Sequence, residues 1–116
     1  MGCSAPAGAL PTVTIASCYD GDTCRTTEGE KLRLACIDTP ELRGRNADPV
    51  PATAARDYLR QMVEGKQVQI RRVDNDRYGR TVAEIYLSGT NIQQAMVQKG
   101  HARIYERYAG QCLWSK

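Results

Sequence analysis

The 116-residue chain is the size of one domain, and 41% apolar with 25% charged residues excludes global disorder. No apolar run approaches the ~20 residues that a helical membrane span requires. The net charge of +3 is only mildly basic, yet twelve of the sixteen cations are Arg, whose planar fork grips phosphate or carboxylate in two places, so composition leans toward an anionic partner.

Met1 to Ala9 has no hydrophobic signal core and reads as a flexible segment before a domain spanning residues 10–116. Gly2-Cys3-Ser4 followed by small residues resembles the stretch just after a bacterial lipoprotein signal. That favours an exported protein, secreted or held by a lipid anchor on Cys3, over a cytoplasmic one with an ordinary flexible start. Leu10 to Cys18 then reads as a strand, with Val13 and Ile15 alternating with Thr12 and Thr14. Asp20-Gly21-Asp22 is turn chemistry, Thr23 to Thr27 returns as a second strand, and Glu28-Gly29-Glu30 turns again. Lys31 to Ile37 is a third strand, with Leu32, Leu34 and Cys36 on one face and Arg33 on the other.

Leu42 to Pro51, rich in Gly, Asn, Asp and Pro, is expected to be irregular. Ala52, Ala55, Leu59, Met62 and Val63 fall at helical spacing, and Gly65 ends the helix. Gln67 to Val73 and Thr81 to Leu87 are two more strands, joined by a polar connection over Asp74 to Arg80. Thr90-Asn91-Ile92-Gln93 reads as a capping box opening a short helix that Gly100 closes. Five strands with an interposed helix are the inventory of a mainly β fold, a five-stranded Greek-key barrel of the OB type with two helices.

Five Cys and a single His form no paired CxxC pattern, which argues against a structural zinc. Cys18 and Cys24 lie symmetrically about Gly21. A hairpin there would let them bridge, but two small buried thiols is the preferred reading.

Three segments carry chemistry: Asp20 to Thr23, Arg33 to Glu41, and Asp76 to Arg80. Each alone is ordinary turn or strand-exit sequence. Together they meet a demand that turns do not. Asp22 at a strand start and Asp38 at a strand end can converge on a hard cation, and Pro40 keeps Thr39 extended so that Glu41 stays near Asp38. Phosphodiester cleavage needs a metal, a base for water, cations on the phosphorane and a seat for a base ring. Asp22 with Asp38, then Glu41, then Arg33 with Arg80, then Tyr78 supply these in that order. One His without motif context does not build a nucleophile triad.

In this order and with these intervals, the segments closely resemble the staphylococcal-nuclease-like (thermonuclease) family, from about Val13 to Ile104. The resemblance implies an OB-fold barrel and a Ca²⁺-dependent endonuclease of single-stranded DNA and RNA and of frayed duplex DNA, leaving 3′-phosphate ends. Matched motif by motif, Asp22 and Asp38 resemble the Ca²⁺ carboxylate ligands, with the Thr39 carbonyl adding an oxygen. Glu41 resembles the general base, Arg33 and Arg80 the phosphate-binding pair, Tyr78 the residue near the bound nucleotide, and Asp20 a carboxylate beside the metal. A monomer is expected. The segment after Glu41 is short, so Arg43 and Arg45 are what remains of a basic loop, and the family's third helix has no counterpart before Lys116. Leu113 and Trp114 are nonetheless expected to dock on the barrel. The alternative is an OB module that binds single strands or a protein without cutting. Retention of the carboxylates and both arginines, with only seven aromatic residues, weighs against it.

Overall fold

The computed structural model describes residues 10–112 and Trp114, apart from the side chains of residues 107–109. The expectations for residues 1–9, the Cys3 anchor included, and for the docking of Leu113 lie outside the described residues.

Strands β1 (Thr12–Asp20), β2 (Thr23–Thr26) and β3 (Lys31–Leu34) form the expected antiparallel meander. The alternation in β1 is not continuous. A register shift between Ile15 and Ser17 changes its phase, so that Ile15 and Cys18, three residues apart, both point inward. After a two-residue β4 (Ile37–Asp38) and helix α1 (Pro49–Val63), β5 (Gln67–Asn75) pairs with β1 and β6 (Thr81–Leu87) with β5. Parallel pairing of β3 with β6, Leu32 opposite Thr81 and Leu34 opposite Ala83, closes five strands into the barrel. A short β7 (Thr90–Asn91), α2 (Ile92–Gln98), β8 (Arg103–Ile104) and a 3₁₀ turn over Glu106–Gln111 complete the chain order.

Ile15, Leu32, Leu34, Ile70 and Ile85 fill the barrel, with Ala55, Leu59 and Val63 of α1 and Met96 of α2 in the same core. At ~1.5–3 kcal/mol for each large aliphatic side chain, this burial is the main force holding the helices to the sheet.

Four details depart from the sequence reading, each for a physical reason. The third strand stops at Leu34, because Cys36 takes φ +70° and turns the chain into β4, which pairs with β8. The preferred reading of free buried thiols is wrong: Cys18 and Cys24, direct partners across β1 and β2, form a disulfide, and Cys36 forms a second with Cys112. Helix α1 begins at Pro49 inside the segment expected to be irregular, since proline in a first helical turn forfeits no intrahelical bond. The cap of α2 is Asn91, whose side chain accepts from the Gln94 amide at 2.9 Å. Gln93 does not cap. It lies wholly buried, accepting from the Ile85 amide at 3.0 Å and donating to the Ala83 carbonyl at 2.9 Å.

Trp114 docks as expected. Its indole donates at 2.8 Å to buried Glu84, which also accepts from Arg71 Nε at 2.7 Å and Asn91 Nδ2 at 2.9 Å. Arg71 Nη2 donates to the Gln111 carbonyl at 2.8 Å, so one satisfied carboxylate network and the Cys36–Cys112 bridge hold the last turn to the barrel.

Candidate active site

The turn from β1 to β2 presents the first carboxylates. The Asp22 amide donates to Asp20 Oδ1 at 3.0 Å, and the Leu34 amide donates to the Asp22 carbonyl at 2.8 Å, tying the turn to the end of β3. A Cβ on Gly21 would lie 2.9 Å from the Ala55 Cβ and 3.0 Å from the Thr39 Cβ. Only glycine lets the turn wedge between α1 and the segment leaving β4.

Arg33 joins the pieces. Its Nη2 lies 3.4 Å from Asp22 Oδ2 and 4.0 Å from Asp38 Oδ1, while Nη1 donates to the Leu34 carbonyl at 2.6 Å. Asp22 and Asp38 thus face the same guanidinium nitrogen from either side. Asp38, half exposed at the end of β4, also has Arg103 Nη2 at 4.0 Å from its other oxygen. Burial pushes the Asp22 carboxyl from 3.8 up to about 7. Arg33 opposes that rise, Asp20 reinforces it by charge and by hydrogen bond, and a hydrogen bond from Thr39 opposes it again. Thr39 itself is buried beside the turn.

Glu41 is exposed and lines one groove of about 480 Å³ with Asp20, Asp22, Asp38 and Thr39. Its carbonyl accepts from the Asp48 amide at 2.9 Å, which fastens the short loop before α1 back onto it.

The loop from β5 to β6 presents Arg80 and Tyr78 through Asp76. Asp76 Oδ1 accepts from the Tyr78 amide at 2.9 Å and the Arg80 amide at 3.0 Å, and Oδ2 accepts from Arg80 Nε at 2.6 Å. Burial works to raise the Asp76 carboxyl, but the Arg80 amide and side chain and the Tyr78 amide outweigh it and hold it below the usual carboxylate range. The Tyr78 ring is 65% exposed, with the guanidinium carbons of Arg77 and Arg80 at 5.1 and 5.5 Å from its centroid. Arg33, Tyr78, Arg80 and Tyr105 line a second groove of about 610 Å³, and Arg33 belongs to both grooves.

The sequence reading assigned no role to Asp76 or Arg103. Asp76 carried a signal, an Asp one turn ahead of a Gly-Arg pair, the pattern of a side chain closing its own loop. Arg103 carried none, because only the long-range pairing of β4 with β8 brings it to Asp38.

Among the described residues no three His, Cys, Asp or Glu side chains converge as a metal cage. The expected ligand set has two carboxylates and relies on a backbone oxygen for the rest. It still fits a hard cation: a buried carboxyl whose ionisation is penalised by burial and by Asp20 gains from a positive charge.

Fold and site define an OB-type barrel whose surface sets two carboxylates and two guanidinium forks around adjoining grooves, an arrangement suited to a phosphate-bearing ligand. The sequence profile of the family described as "Staphylococcal nuclease homologue" matches residues 31–113, and the chain belongs to that family. The chain is 40% identical over 78 residues to a "Probable staphylococcal-like nuclease CAN1" of Oryza sativa subsp. japonica, covering 67% of this chain and 22% of the relative. It is 35% identical over 96 residues to an "Uncharacterized endonuclease" of Escherichia coli O157:H7, covering 77% and 58% respectively. It is 31% identical over 102 residues to the "SPbeta prophage-derived endonuclease YokF" of Bacillus subtilis (strain 168), covering 82% and 34%. The chain thus spans from about a fifth to under three fifths of the length of these relatives.

Proposed function

We propose that the chain is a Ca²⁺-dependent nuclease that hydrolyses phosphodiester bonds of single-stranded DNA and RNA, and of frayed duplex DNA, leaving 3′-phosphate ends. The observation that carries this reading is Arg33, which bridges Asp22 and Asp38 in the groove containing Glu41 and also faces the groove containing Arg80 and Tyr78. Family membership supports it.

Asp22, Asp38 and the Thr39 carbonyl would hold the ion, and a mixed set of carboxylate and carbonyl oxygens suits Ca²⁺ better than Mg²⁺, which demands near-octahedral geometry. Bound there, Ca²⁺ would supply charge that favours ionised Asp22 and would polarise a phosphate oxygen. Glu41 takes a proton from the attacking water as a new oxygen–phosphorus bond forms and the bond to O5′ breaks, the departing O5′ taking a proton from solvent. Arg33 and Arg80 direct hydrogen bonds at the phosphoryl oxygens, where charge builds in the transition state. Asp76 positions Arg80, Asp20 positions the Asp22 turn, and Tyr78 offers its exposed face to a base. We also infer export, which two disulfides in a small domain favour because they persist in oxidising compartments.

The test is digestion of 5′-labelled single-stranded DNA in Ca²⁺, in Mg²⁺ and in chelator, with the product ends identified. Cleavage in Ca²⁺ well above that in Mg²⁺, none in chelator, and 3′-phosphate ends are expected. Equal rates in chelator, or 5′-phosphate products, would overturn the reading. Binding without cleavage in every condition would favour the non-cutting module.

A further inference from the structure

Arg25 of β2 and Lys31 of β3 are direct cross-strand partners. Like charges set opposite one another weaken a sheet. Both side chains are exposed, and among the described residues no carboxylate pairs with either. The adjacent Glu30 is engaged elsewhere, holding Arg72 through two hydrogen bonds of 2.7 and 2.9 Å. The pair therefore adds no evident stability to the barrel and leaves two cations in solvent side by side.

Their position gives them a use. Ser17 of β1 is the partner of Arg25, so hydroxyl, guanidinium and ammonium form one row across β1, β2 and β3. The next row on the same face pairs Thr23 with Arg33. Lys31 and Arg33 are two residues apart on one strand face, about 7 Å along the chain. A groove of about 510 Å³ runs over this face and includes Tyr19, Arg25, Lys31 and Arg60. It shares Tyr19, Asp20 and Arg60 with the carboxylate groove, and Arg80 with the groove of Tyr78. Asp20 is the one carboxylate on its wall. Arg60 is already held, by Glu64 at 3.3 Å and the Cys18 carbonyl at 2.9 Å. Tyr19 is 69% exposed, with no ring or hydrogen-bond partner among the described residues.

We infer that the outer face of the β2–β3 hairpin is a second phosphate subsite, where Arg25 and Lys31 grip a phosphodiester flanking the one at Arg33 and Tyr19 stacks on a base of the same single strand. The inference rests on the nuclease reading and extends it from one scissile phosphate to the strand around it. Cations matched to phosphates release counterions, and a single strand's affinity then falls with salt by about 0.7 log units per log unit of salt for each contact. At 0.1 M salt that corresponds to roughly 5-fold in affinity per contact, or about 25-fold for two.

The experiment measures binding of a fluorescent single-stranded 12-mer and of a dinucleotide in chelator, by anisotropy across a salt series. Wild type is compared with Arg25→Gln/Lys31→Gln and with Arg25→Glu alone. The double variant should bind the 12-mer about 25-fold more weakly at 0.1 M salt, with a salt slope shallower by about 1.4, and bind the dinucleotide as wild type does. Arg25→Glu makes the cross-strand pair attractive, so it should melt higher than wild type while losing 12-mer affinity. Unchanged 12-mer affinity, or equal losses for both ligands, overturns the inference. Cleavage of the 12-mer by wild type in Ca²⁺ is scored separately. No cleavage together with a selective loss of 12-mer affinity would refute the nuclease reading and leave the subsite standing.

Discussion

Replacing Asp22 with Asn should stabilise the metal-free protein at neutral and alkaline pH while removing its function. The Asp22 side chain is only 11% exposed, and burial lifts its carboxyl from 3.8 to about 7. Between those values the unfolded chain releases a proton that the folded chain retains. This group's contribution to stability therefore falls as pH rises from about 4, and the full penalty is present above about 7. A rise of about three pK units, at ~1.36 kcal/mol per unit, sets an upper limit near 4 kcal/mol. Structural relaxation trims that, so a gain of about 2–4 kcal/mol is expected for the variant at pH 8. Asn has nearly the same shape and keeps one of the two oxygens that the Thr23 hydroxyl and Arg33 Nη2 now approach separately, so the charge is the main variable. Urea unfolding of both proteins in chelator, at pH 4 and pH 8, isolates the effect, because groups unaffected by the substitution cancel. The variant should be within about 1 kcal/mol of wild type at pH 4 and clearly more stable at pH 8. Added Ca²⁺ should raise the stability of wild type and not of the variant. A difference between the two proteins that is the same at both pH values would refute the reasoning.

Arg33→Lys and Arg80→Lys should each lower the rate of single-strand cleavage by roughly 10²–10³ while circular dichroism stays native, since Lys keeps the charge and loses the directed fork. Near-wild-type turnover would mean that bulk charge suffices there. Cys36→Ala/Cys112→Ala opens a bridge between residues 76 apart, and should cost about 4.5 kcal/mol in urea unfolding on the chain-entropy account. A loss under 1 kcal/mol would show that the Glu84 network alone holds the last turn.

The barrel was legible because its signals are local. Alternating Thr, Val and Ile, and turns built on Gly21 and Gly29, define the meander without reference to distant residues. The helix positions Ala52, Ala55, Leu59, Met62 and Val63 were equally plain, and all are buried except Met62, which packs partly buried against the core. What failed depended on partners far along the chain. The Leu32, Leu34, Cys36 alternation continues straight through a break that only the positive φ of Cys36 and its bond to Cys112 create. The capping box slipped by one residue because Gln93 has a better use between Ile85 and Ala83 than at a helix end. At the site, the three segments identified the side chains that meet in the grooves, since each segment brings its own turn. The guanidinium between Asp22 and Asp38, and the approach of Arg103, follow from the packing of β3, β4 and β8 and had no local trace.

Glu41 is the exposed carboxylate in the groove with Asp22 and Asp38, placed to activate water in the proposed cleavage. Glu41→Gln preserves shape and removes the proton acceptor. The decisive measurement is kcat on single-stranded DNA in saturating Ca²⁺ beside the Kd of a non-hydrolysable nucleotide bisphosphate. The account predicts a fall in kcat of about 10²–10⁴ with Kd changed only modestly. Unchanged kcat, or a collapse of binding in parallel with rate, would contradict it.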